Sequence, residues 1–129
     1  MHNIETIVSE SNNGFSMRGT IVALDSSDVI VIITGGWDHV GAVGLAVPRP
    51  SLLDPDILSA TSSILTMPGH KEDVLVKDIS ERLAAATERN IVVVAGVHYD
   101  NLAKADLKIL QELWVALTNK IATFINKNY

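Results

Sequence analysis

The chain has 129 residues, a net charge of −5, 47% hydrophobic residues and no cysteine. That length suits one domain spanning residues 1–129, with enough apolar side chains to build a core. The missing cysteine excludes disulfides, thiolate metal sites and a cysteine nucleophile, and an acidic balance with no basic stripe argues against nucleic acid as a partner.

In chain order, residues 5–10 alternate weakly, and Ser11-Asn12-Asn13-Gly14 is a turn signal before a second strand-like run over residues 15–24. Asp25-Ser26-Ser27-Asp28 is a further turn. The β-branched run over residues 29–34 predicts a strand buried on both faces. After Gly35-Gly36, residues 40–47 form a small-residue strand weakened by Gly41 and Gly44. Three prolines mark residues 48–55 as a rigid surface loop, and residues 62–67 return as a strand ended by Pro68-Gly69. Asp78, with Glu81 three positions on, is a capping-box-like start for a helix that runs to about Arg89. Residues 91–97 are another buried strand. Leu107, Leu110, Trp114, Leu117, Ile121 and Phe124 step by three and four, the apolar stripe of a long helix. Lys120 and Lys127 suit the negative pole of its dipole.

This order predicts an α+β (mixed α/β) domain: a β-meander sheet, then helix, strand and long helix, with the helices packed on the sheet. The start Met1-His2-Asn3 has no basic segment followed by an apolar one, and no apolar run is long enough for a bilayer. A cytoplasmic protein without a membrane partner is therefore expected.

Three of the four histidines stand where strand-like runs break: His39 after Gly35-Gly36-Trp37, His70 after Pro68-Gly69, and His98 after Gly96-Val97. Convergence of strand ends would bring these side chains to one site beside flexible backbone. Gly35-Gly36 is not a dinucleotide fingerprint, because it leads into a strand and not a helix. The three histidines suit a metal with one open position, or equally an anionic or aromatic ligand. Lys71 near a helix start favours an anion, Glu72 and Asp73 offer carboxylates for a hydrated cation, and Trp37 offers a stacking surface. No nucleophile–base arrangement emerges.

Taken together, Val31-Ile32-Ile33-Thr34-Gly35-Gly36, His39-Val40-Gly41, Pro68-Gly69-His70, Ile79-Ser80-Glu81-Arg82 and Ala95-Gly96-Val97-His98 resemble the LpdD-like prenylated flavin chaperones. These are small D subunits that accompany gallate decarboxylase. The resemblance implies a non-catalytic carrier that binds prenylated FMN, or FMN itself, and protects or delivers it to a UbiD-type decarboxylase. It implies a fold similar to proteasome assembly chaperones, paired as a homodimer or higher homo-oligomer. His39, His70 and His98 are the matched histidines, and Gly35, Gly36 and Gly41 the matched glycines. With Trp37 and Lys71 from their own chemistry they make up the expected cofactor-binding set, with no catalytic or metal-binding residue. A pocket of Ala42, Gly44, Ala95 and Gly96, edged by those histidines, would take the ring. Ala103 stands where the family pattern prefers Thr, which removes a helix cap or a ligand contact. Two other functions compete: a small metal-dependent hydrolase using His39, His70 and His98 with Asp38 or Asp73, and an assembly chaperone with no ligand.

Overall fold

A computed structural model describes residues 4–67 and 72–129. Five strands come first: β1 (Ile4–Asn12), β2 (Phe15–Ala23), β3 (Val29–Gly36), β4 (Ala42–Pro50) and β5 (Leu58–Thr66). Helix α1 (Asp73–Thr87), strand β6 (Ile91–His98) and helix α2 (Lys104–Asn128) follow. The sheet order is β1-β2-β3-β6-β4-β5. The first three strands are an antiparallel meander and β4–β5 is a hairpin. Strand β6 inserts between the two, parallel to β3 and antiparallel to β4. The α+β class and the packed helices hold, but the expected uninterrupted meander is split, because the most apolar late strand takes a central position.

Both helices lie on one face. Helix α1 covers β4, β5 and β6, α2 covers β1 and β2, and the two helices touch. Met17, Ile21, Val31, Ile33, Ile91 and Val93 from the sheet meet Val76, Ile79 and Leu83 of α1 and Leu117, Ile121 and Ile125 of α2. Each such side chain contributes about 1.5–3 kcal/mol on burial. Strand β3 is not buried on both faces as expected: Val29, Val31 and Ile33 are in the core, while Ile32 on the other face is 38% exposed. Leu45 and Val47 of β4 are exposed on that same face.

Several boundaries differ from the sequence reading, among them the start of β5, which is Leu58 and not residue 62. Strand β4 runs to Pro50, so residues 48–50 of the proline-rich segment are strand and residues 51–55 are loop. Its pairing with β6 ends at Ala46, and beyond that point a missing proline N–H costs no ladder bond to β6. Helix α1 begins at Asp73, with Asp78 inside it. The apolar positions Leu75 and Val76 extend the buried stripe upstream of the capping-box pattern, and packing outweighs the local signal. Asp78 instead pairs with Arg82 at 2.8 Å and accepts the Trp114 indole N–H at 2.7 Å. The helix ends at Thr87, on the left-handed Glu88, before Arg89 and Asn90. Lys120 does not serve the α2 dipole. It reaches β1, bonding Glu10 at 2.9 Å and the Ser9 carbonyl at 3.0 Å, and its hydrogen bond holds the Glu10 carboxyl below its usual range.

Ala103 is the N-cap of α2 and offers no capping oxygen. Asp106 makes the reciprocal half of the cap, its carboxylate accepting the Ala103 N–H at 2.8 Å. Restoring the missing half by Ala103→Thr is expected to stabilise the fold by about 0.5–2 kcal/mol. Chemical denaturation measures this, and an unchanged midpoint would mean that the first turn is already satisfied.

Candidate functional site

The C-terminal ends of β3 and β6 lie side by side, with Gly36 opposite His98. Because β6 separates β3 from β4, residues 37–41 must cross over the end of β6. The Trp37 N–H donates to the His98 carbonyl at 3.1 Å, and the Gly41 N–H donates to Ala95 at 2.8 Å. This crossing places three rings together. Trp37 and His39 stack at 5.2 Å and 16°. His98 stands edge-on to both, at 6.3 Å from each. The Trp37 side is open to solvent at 66% exposure.

His39 and Glu72 form a pair whose side chains are each only 9% exposed. The His39 Nε2 lies 2.8 Å from Glu72 Oε1, and Nδ1 lies 2.9 Å from the Trp37 carbonyl. A carbonyl only accepts, so Nδ1 carries a proton. The Nε2–carboxylate contact then needs one more proton, held on the ring or on the carboxyl. His98 is more exposed, and its Nε2 lies 2.9 Å from Asp100. Asp38 pairs with Arg18 at 3.2 Å.

The glycines of this region admit the protein's own chain. A Cβ at Gly41 would lie 2.3 Å from Glu72 Oε2, and one at Gly96 would lie 1.6 Å from the His39 carbonyl oxygen. Gly36 sits at φ +68°, and Gly35 is buried against Ser16 and Met17. His70 and Lys71 lie outside the described residues. The residues on either side of that segment both reach Gly41: Met67 donates its N–H to the Gly41 carbonyl at 2.8 Å, and Glu72 packs on it. Among the described residues no three His, Asp or Glu side chains converge to hold a metal.

Beside the rings opens a cleft of about 670 Å³ between the first turns of both helices and the ends of β2 and β6. Its walls are Met17, Val74, Leu75, Val97, Tyr99, Leu102, Leu107, Leu110 and Trp114, and Glu72, His98 and Gln111 supply its polar rim. Tyr99 is fixed at the back: its hydroxyl donates to the Ser16 carbonyl at 2.6 Å and accepts the Ser16 N–H at 2.9 Å. The size and the apolar lining suit a small organic ligand. The space expected to form a pocket at Ala42, Gly44, Ala95 and Gly96 is filled by the protein itself, the His39 backbone lying over Gly96. Ala42 and Ala95 are buried in the core, and Val76 and Ile64 fill the space over Gly44. The sequence places Leu107 and Trp114 on the apolar stripe of the long helix and offers Glu72 as a carboxylate for a hydrated cation. In the structure Trp114 packs against the core and also lines the cleft, and Glu72 pairs with His39. The available signal was that Leu107 opens the apolar stripe, where a long helix can overhang its sheet.

The class is therefore a helix-covered six-stranded α+β domain with a ring cluster at the rim of an apolar cleft. The chain matches the prenylated flavin chaperone LpdD-like domain over residues 11–126 and belongs to that family. No curated protein matches it. No helix among the described residues is long and apolar enough to cross a membrane.

Gly41→Ala is expected to destabilise the fold by about 1–3 kcal/mol, because the methyl displaces the Glu72 carboxylate from the Gly41 backbone. The His39 imidazole resonances should shift with it. A wild-type melting curve and unshifted resonances would show that the pair tolerates the added volume.

Proposed function

We propose that this chain is a carrier, not an enzyme, that holds prenylated FMN and passes it to a UbiD-type decarboxylase in the cytoplasm. The observation that carries this reading is the ring cluster standing beside an apolar cleft, with His98 common to both. The isoalloxazine stacks on the open Trp37 face, with His98 at its edge, and the apolar ring added by prenylation faces the cleft. His98, with His70 and Lys71 from the segment before Glu72, supplies donors for polar atoms and the phosphate. Stacking on Trp37 covers one face of the reduced, oxygen-sensitive ring, and no bond to it needs to be made or broken by the carrier.

The test is anaerobic purification after co-expression with a flavin prenyltransferase, read by absorbance and native mass spectrometry. A flavin band and a bound mass equal to prenylated FMN are expected. Trp37→Ala and His98→Ala should lower occupancy about tenfold or more at limiting flavin. A colourless protein of bare mass would overturn the reading.

We propose in addition that two copies pair through the sheet face opposite the helices. Val22, Ile30, Ile32, Val43, Leu45, Val92 and Val94 occupy that face by alternation, with no charged residue in its centre. With exposed Leu65 of β5, which pairs with Val43, five strands about 4.8 Å apart and roughly 26 Å long cover on the order of 600 Å². That approaches the ~800 Å² each partner gives to a stable interface. Light scattering should give a dimer mass for the wild type and a monomer mass for Ile32→Glu. A wild-type monomer would remove this pairing while leaving flavin binding untouched.

A further inference from the structure

Past Ala46, strands β4 and β5 continue without β6. Pairing of β4 with β6 stops at Ala46–Ile91, whereas pairing with β5 runs on from Val47–Thr61 to Pro50–Leu58. The last four rungs project beyond the central strand as a two-stranded arm. At its tip, Leu52 and Leu53 are 89% and 97% exposed, and Ile57 is exposed beside them.

The tip is internally bonded. The Ser51 N–H donates to Ile57 at 2.7 Å, and the Ile57 N–H donates to Asp54 at 3.0 Å. The Ser51 hydroxyl oxygen accepts the Leu53 N–H at 3.2 Å, and the Asp54 carboxylate accepts the Asp56 N–H at 3.0 Å. Arg49 braces the base, donating to the Pro50 carbonyl at 3.0 Å and to the Thr61 hydroxyl at 2.6 Å. Two adjacent leucines are thus presented in a pre-ordered loop, which lowers the entropy cost of docking them. Pro48 and Pro50 interrupt the N–H row of β4 here, which disfavours strand addition and leaves side-chain insertion as the mode of contact.

Charge selects the occupant. Asp54 and Asp56, both exposed, follow the leucines in the same loop, so an anionic membrane surface repels the tip. A second copy is a poor acceptor as well: the chain carries −5, and its own apolar cleft is rimmed by Glu72 and by His98 with its Asp100. The matching surface is an apolar pocket edged by Lys or Arg on a different protein. We infer that this arm is a docking element that inserts Leu52 and Leu53 into such a pocket on the decarboxylase. The identity of that partner rests on the carrier reading above. The arm lies at the opposite end of β6 from the cleft, roughly 26 Å away for eight strand residues, so the docked carrier keeps its ligand cleft open.

The test measures binding of flavin-loaded protein to a purified apo-decarboxylase of the gallate type by biolayer interferometry at low and high salt. Leu52→Ser/Leu53→Ser and Leu52→Asp/Leu53→Asp are expected to weaken binding about 30-fold or more. Asp54→Lys/Asp56→Lys should slow association and remove most of its salt dependence. Circular dichroism, flavin occupancy and the protein's own mass should stay as in the wild type. Unchanged binding by the leucine variants would overturn the proposal alone. A changed oligomeric mass would overturn it by making the arm a self-contact. A wild type that loads flavin yet does not bind the enzyme would remove the delivery half of the carrier reading, and this proposal with it.

Discussion

A single topological constraint organises the candidate site: β6 lies between β3 and β4. The chain leaving β3 has to pass over the end of β6, and residues 37–41 are that passage. Its backbone bonds to His98 and Ala95 hold the crossing down, and the His39–Glu72 pair joins it to the start of α1. Glu72 is the N-cap residue of α1 and makes no side-chain cap bond. Its carboxylate serves His39 instead, so some helix stability is given up to anchor the crossing.

The site is a seam between two halves. The meander carries one edge, the β4–β5 hairpin carries the other, and β6 joins them. The three rings come from the crossing and from β6, and the cleft walls come from both helix starts and from β2. Almost every group in it is therefore held by an element whose other face is in the core. Tyr99, bonded twice to Ser16 and edge-on to Phe15 at 5.0 Å, ties the end of β6 to β2. A ligand entering the cleft meets a floor already set in place.

Much of the fold was legible because burial writes its period into the residues. The runs at β2, β3 and β6 and the stripe of α2 were read to within a few residues. Where burial covers only one face, apolar side chains on the other face blur the signal, and Ile30 and Ile32 made β3 look doubly buried. Residues 48–50 look like loop because proline argues against strands in general, while a proline beyond the last rung with β6 is harmless on that edge. The start of α1 was misplaced because Asp78 and Glu81 imitate a cap inside a helix. The order of strands, and with it the insertion of β6, has no local signature, since pairing partners are chosen by long-range packing. The site was half legible: Trp37, His39 and His98 do meet, through Gly-rich breaks that mark strand ends. Glu72 and the walls on α2 were hidden because a helix residue over a core and one over a cleft carry the same side chain.

The late position of β6 also governs how the chain comes together. Its neighbours β3 and β4 are synthesised well before it, and until β6 inserts each presents an unpaired strand edge rich in Val, Ile and Ala. The central pairing spans residues 29 to 98, a large loop to close before it yields any contact. Folding of this domain is accordingly concentrated in one late event, with partly folded chains prone to mispairing until it occurs. The same event completes the ring cluster and the cleft, so any ligand that binds there binds only finished molecules and stabilises them by mass action.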